Sequence, residues 1–222
     1  MFSNDPEVIV IGTSALRYQM VIFHLCSFMM MANMMMQTCI PVIHNKRFFS
    51  MKVFKDIDTR GKSTMGWYIS FKLYLLRNEK GEIINFTLTR ACVDDRNVDV
   101  MNALTDKAFG KQYADKGYIS QTLFGRLWDK VVHIITGLRS NMKQKLMPLY
   151  DKIMLRKRSV IKSVNDMLKN GVQIVHTRHR SLHNFIMNIL AAMGAYCFFS
   201  TKPHVNFDYE IPPPDGQLVI WQ

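Results

Sequence analysis

Asp115 stands where a short strand ending near Ala114 runs into the turn Asp115-Lys116-Gly117-Tyr118. A carboxylate at the end of a core strand sits on a rigid support and suits a hard cation, which takes oxygen ligands. The plainer role for such a residue is to form the turn and cap the helix that follows. Asp94 and Asp95 are adjacent acids ahead of a helical pattern, and they read as N-terminal caps complementing the helix dipole rather than as a metal pair. His176, His179 and His183 would fall on neighbouring turns of a helix, a zinc-like spacing. The interleaved Arg178 and Arg180 would oppose a cation there. A second basic run comprises Arg156, Lys157, Arg158, Lys162 and Lys169; at about 100° per residue Arg158, Lys162 and Lys169 share one face of a continuous helix.

The charge balance points the same way as these basic runs. Twenty-nine Lys and Arg against seventeen Asp and Glu leave a formal net charge of +12, a field that favours polyanions, with nucleic acid ahead of anionic membrane. Cys26, Cys39, Cys92 and Cys197 are scattered without a C-x-x-C pair, so neither a disulfide framework nor a cysteine zinc site is indicated, and a reducing cytosol fits. With 222 residues, 48% of them hydrophobic, the chain can bury one substantial core.

The elements that must position these residues follow from the patterning. Tyr18 to Ile43 carries no Asp, Glu, Lys or Arg and is crowded with methionine. It is long enough for a membrane span, but its His24, Ser27, Asn33, Gln37 and Thr38 favour a buried strand or helix. The stretch from Gly66 to Thr89 is rich in aromatic and β-branched residues and is split by Asn78-Glu79-Lys80-Gly81, which predicts a hairpin with Phe71 and Trp67 in the core. A helix is expected over Val98 to Phe109, another over Ser120 to Lys130, and a strand over Val131 to Thr136. A long helix from about Met147 to Lys169 and a final one from Ser181 to Phe199 complete the set. The tail with Pro212-Pro213-Pro214-Asp215-Gly216 reads as a loop or disordered end. Strands first, then alternating helix and strand, then a helical end describe an α/β or α+β layered domain.

Eight blocks in order carry a resemblance: HNKR from His44, RGKSTMGWYISFKLYLL from Arg60, NEKGEI from Asn78, VDDR from Val93, ADKGYIS from Ala114, ITGLRSNMKQKLMPLYDK from Ile135, LRKRSVIKSVNDMLKN from Leu155 and HTRHRS from His176. Together they resemble the DDE transposases of bacterial insertion sequences over about residues 40 to 200. The resemblance implies an α/β, RNase H-like mixed sheet flanked by helices with a helical C-terminal part. It also implies DNA strand cleavage and transfer at element ends, with three carboxylates holding Mg2+.

Carried over residue by residue, the second acid of the family matches Asp115. The first lies on a core strand shortly before CIPVIHNKR, where this chain has Met36 or Gln37. The third belongs to a helix motif of Arg, three residues, Glu, six residues, Lys; Arg158 and Lys169 match, but Lys162 replaces the Glu. A thioether or amide does not replace a charged oxygen ligand, and an ammonium about 5 Å from a divalent ion is repelled by several kcal/mol even at an effective dielectric near 20. Asp166, one turn beyond Lys162, is a poor substitute; Glu7, Asp56 and Asp58 are the other acids that an intact site would have to recruit. The resemblance assigns phosphate contact to Arg158 and Lys169, joined by Arg156, Arg178 and Arg180, while Lys46, Arg47, Lys62 and Lys72 add basic surface.

The resulting expectation is a cytoplasmic, catalytically impaired transposase-family protein that binds DNA and can form a homodimer. Asp115 is its one retained metal ligand. Its organisation is an atypical segment over 1–35, a core over 36–200 and a tail over 201–222. The competing expectation is a small membrane-associated protein anchored by residues 18–43.

Overall fold

The computed structural model describes residues 32–44, 60–63, 66–106, 108–143, 146–175, 181–205 and 218–220. Its main sheet is built on β1 (Asn33–His44). On one side β1 pairs antiparallel with β3 (Gly66–Arg77); on the other it pairs parallel with β5 (Gly110–Ala114). β5 is in turn parallel to β6 (Val132–Thr136), an edge strand. The far edge of β3 is shared by the short β2 (Arg60–Ser63) and by β4 (Ile83–Arg90), both antiparallel to it.

The uncharged methionine-rich run is thus the central strand. Met34, Met36 and Ile40 face one core and Met35 the other, and a strand buried on both faces needs apolar residues at successive positions instead of alternation. Pro41, which has no N–H for the ladder, lies where the β1–β3 register slips. Residues 33–43 of the segment weighed as a membrane anchor therefore belong to a sheet, and residues 18–31 lie outside the described residues. Among the described residues no helix is long and apolar enough to cross a membrane.

Helices cover both faces. α1 (Val98–Leu104) and α2 (Gln121–Trp128) bury Val100, Met101, Leu104, Leu123 and Leu127 against Met35, Tyr74 and Leu76. The other face carries α3 (Leu149–Lys157), α4 (Val160–Asp166) and α5 (Leu182–Phe198), packing Met154, Val164, Phe185 and Ile189 on Met34, Phe71 and Leu73. The chain is an α/β protein with a mixed sheet between two helical layers.

The β3–β4 hairpin turns at Asn78 to Glu82, where Asn78 and Glu82 exchange backbone and side-chain hydrogen bonds. Gly81 has φ +84°, and a Cβ there would come within 2.3 Å of the Pro203 carbonyl oxygen; both the conformation and the close approach demand glycine. Ser181 caps α5 by accepting from the Asn184 amide.

Four expectations change. α1 stops at Leu104, five residues short of Phe109, and its N-cap is Asn97, whose side chain accepts from the Asp99 and Val100 amides. Asp94 and Asp95 do not cap it, because Asp94 is held by Arg96 and Asp95 by Lys72 and Tyr74. The helix expected over 147–169 is divided. Residues 146–148 form β7, and between α3 and α4 the bonding tightens to i−3, as in Ile161 N–H to Arg158 and Lys162 N–H to Ser159. After α4 it loosens to a π turn over Met167–Gly171, where the Val172 amide reaches the Met167 carbonyl. The tail, expected as a loop, contains β8 (Leu218–Ile220), which pairs antiparallel with β7; the proline run lies outside the described residues.

Candidate functional site

β5 and β6 are parallel and end together, Ala114 opposite Thr136. The segments after them therefore emerge side by side at the carboxyl end of the sheet, where open α/β sheets gather ligand-binding groups. Asp115 is the first residue past β5. One of its carboxylate oxygens accepts from the Lys116 amide at 2.7 Å, capping the 3-10 turn Lys116–Tyr118. That oxygen also meets Arg158 Nη1 at 3.0 Å. Partial burial by itself would raise the Asp115 carboxyl, but the Arg158 hydrogen bond, the Lys116 amide and the two nearby cations outweigh it and hold the group below its ordinary value.

The β1–β5 register pairs Asn33 with Gln112 and Met34 with Tyr113. Counting on by two residues puts Met36 abreast of Asp115. Met36 is buried in the core beneath α3 and α4. Gln37, the other position considered for the first acid, alternates to the opposite face of β1.

Arg158 is the C-cap of α3 and is half-buried. Lys162 lies on α4 and is exposed, as is Arg156 on α3; Lys169 sits within the π turn. The single helical face expected for Arg158, Lys162 and Lys169 is not formed as drawn, since winding changes on both sides of Lys162. Asp166 is exposed at the end of α4. Arg178, Arg180, His176 and His179 lie outside the described residues, and so do Glu7, Asp56, Asp58, Lys46 and Arg47; of Lys62 only the backbone is described. His183 is exposed on the first turn of α5. Lys72 does not extend a basic surface: its partly buried ammonium is held by the Val93 carbonyl at 2.6 Å and Asp95 at 2.9 Å.

Two features escaped the sequence. On β5, Lys111 and Tyr113 point to one face by strand alternation, with Asp115 continuing the series just past the strand, and α3 answers the first two with Asp151. This aspartate is 4% exposed and accepts from Lys111 Nζ at 2.8 and 3.0 Å and from Tyr113 Oη at 2.7 Å. Lys111–Asp151 and Asp115–Arg158 thus tie α3 along β5 with pairs of opposite sense. The strand period already grouped the β5 residues, but nothing local named Asp151 as their partner. The second feature is Arg139, in the loop after β6, whose Nη2 donates to the Lys116 carbonyl at 3.2 Å.

The residues do not fit a two-cation centre. Among the described residues, the Asp115 carboxylate is already paired with Arg158, and the residues at the two places that the resemblance gives to acids are the thioether of Met36 and the ammonium of Lys162, neither of them a hard oxygen ligand. Among the described residues no three His, Cys, Asp or Glu side chains come together as a metal-ligand group.

No curated protein and no solved structure matches the chain. The family model described as "Transposase DDE domain" matches residues 29–182, from just before β1 to the start of α5, and so spans the sheet, Asp115 and the α3–α4 pair. The chain belongs to the transposase DDE domain family.

Proposed function

We propose that this chain is a transposase-family protein that binds DNA and has lost strand cleavage and transfer. Membership supports DNA as the substrate and a divalent metal as the family's cofactor. Mg2+ is the ion to which the missing carboxylates belong, because it takes hard oxygen ligands together with phosphate. The observation that supports the loss of chemistry is the Arg158–Asp115 ion pair, together with a β1–β5 register that, counted on by two residues, sets Met36 and not an acid level with Asp115.

The basic groups fit the retained half of the function. Arg156 and Lys169 lie in the same helical layer as Arg158, which itself reaches Asp115, and the whole chain carries +12. Arg178 and Arg180 are proposed to extend this contact. Such groups supply affinity that depends on salt and little on base sequence. The proposal takes residues 36–200 as the core, with 1–35 before it and 201–222 as a tail, in a cytoplasmic protein that can assemble as a homodimer.

The test is strand cleavage of DNA carrying the parent element's ends, with Mg2+ or Mn2+, beside an Asp115→Ala control. No cutting with salt-sensitive binding is the expected result. Metal-dependent cutting that disappears in the control would overturn the proposal and require ligands from elsewhere in the chain.

A further inference from the structure

The carboxyl end of β5 and β6 is rich in cations placed by three separate elements. Lys116 follows β5, Arg139 follows β6 and hydrogen-bonds the Lys116 carbonyl, and Arg158 closes α3 and reaches Asp115. Two positive side chains, Arg158 and Lys116, therefore act on one carboxylate, and Arg139 adds a third cation at the neighbouring Lys116 carbonyl. The Asp115 side chain is 64% exposed and that of Arg158 31%, so water screens their pairing and the bond is easily exchanged. A phosphodiester offers two oxygens in the same fork geometry as a carboxylate and is a natural replacement at a guanidinium.

We infer that Lys116, Arg139 and Arg158 form a metal-independent phosphodiester site, and that Asp115 serves there as a competing counter-ion to Arg158 rather than as a metal ligand. This rests on the DNA-binding reading above and deepens it. The family's acid, left without partner acids, becomes the group that a DNA phosphate must displace. Removing its charge then strengthens DNA binding, the opposite of what loss of a metal ligand does in a metal-dependent complex.

The experiment is fluorescence-anisotropy titration of a labelled DNA duplex with the full chain, in EDTA, over a series of salt concentrations. Asp115→Asn is expected to tighten binding several-fold and to steepen the dependence of log affinity on log salt by about one contact's worth, a slope change near 0.9. Arg158→Ala is expected to weaken binding and flatten the slope by about the same amount, and in that background Asp115→Asn has a smaller effect. Asp129→Asn, an exposed acid at the opposite end of β6, makes the same change in net charge and is expected to leave the slope alone. If the wild-type chain binds DNA but Asp115→Asn binds no tighter, or Asp129→Asn matches it, the inference falls and the DNA-binding reading stands. If neither the wild-type chain nor Asp115→Asn binds, both fall.

Discussion

Replacing Asp151 with alanine isolates the buried pair that docks α3 on the sheet. Burial foremost, then the hydrogen bond and charge of Asp151, push the Tyr113 hydroxyl far above its ordinary value, so it is a donor at every working pH. Tyr113 is 0% exposed, and Asp151 is the acceptor of its hydroxyl. In Asp151→Ala that hydroxyl is stranded in the core, at a cost of about 1–3 kcal/mol. The Lys111 side chain is 40% exposed and can turn to water, so its pairing adds at most about 1 kcal/mol. The sum, about 1–4 kcal/mol, should appear in urea unfolding as a midpoint lowered by about 1 M at unchanged slope. Tyr113→Phe in the same background should restore about 1–2 kcal/mol, since no hydroxyl is then left unsatisfied. A midpoint within about 0.2 M of wild type, or a double variant no better than Asp151→Ala, would show that this carboxylate does not anchor α3.

Three further outcomes follow from groups away from the site. Arg77 is 1% exposed and donates to the Pro203 carbonyl at 2.8 Å and to Met34 Sδ at 3.2 Å, with its Nε unsatisfied and no carboxylate in an ion pair with it among the described residues; burial lowers its pKa. Arg77→Met should hold stability level or raise it by about 1–2 kcal/mol in thermal melts, and a drop of that size would count against an uncompensated buried charge. Val131 is 75% exposed at φ +61°, a left-handed conformation that costs a β-branched residue roughly 1–2 kcal/mol, so Val131→Gly should raise the melting temperature despite glycine's entropy; a lower one would deny the strain. The Tyr196 hydroxyl donates to the Gly81 carbonyl at 2.8 Å, and burial pushes it up to about 12 from 10.0, against the lowering effect of Arg77. Because its folded pKa is the higher, its contribution is fully present below about pH 10 and lost as pH rises towards 12. Urea midpoints measured across that window should fall less steeply in Tyr196→Phe; identical slopes would show that another group controls alkaline unfolding.

Local pattern carried much of this fold. The Asn78–Gly81 turn, the hairpin and the Ser181 cap are all encoded within a few residues, and the charge-free methionine run announced a buried strand or helix, leaving strand and two-faced burial to the structure. Where the reading departed, distant or competing bonds decided. Asp94 and Asp95 look like caps in sequence, yet Arg96, Lys72 and Tyr74 take their oxygens and leave the capping to Asn97. The long basic helix has an acceptable residue at every position, so nothing in its period foretold tight winding at Arg158–Lys162 and loose winding at Met167–Gly171. At the candidate site, the place of Asp115 in a turn just past a strand was legible. Its partner Arg158, the Arg139 that bonds the adjacent Lys116 carbonyl, and the Asp151 cluster meet only through the parallel ends of β5 and β6 and the docking of α3, which are long-range contacts without a local signature.

If Met36 holds the place of the family's first acid, as proposed above, its burial explains how that acid can be lost without losing the fold. The position is 5% exposed on the central strand, and a carboxylate there is desolvated unless a cation neutralises it. An intact metal centre bears that cost for function; methionine removes it and fills the core, so on the proposed reading loss of catalysis and gain of stability point the same way. Reversal is testable. Met36→Asp alone should destabilise the chain by about 2–4 kcal/mol, and Mg2+ should return little of it, because Lys162 still contributes a positive charge on α4. Adding Lys162→Glu supplies a third carboxylate, and ligand binding to the folded state alone then stabilises by mass action. Melting temperature of the double variant should therefore rise with Mg2+ or Mn2+ while that of the single variant and the wild type stays flat. Equal responses in all three would mean that Met36, Asp115 and Lys162 do not converge on one place, and that the register argument identifying the lost acid is wrong.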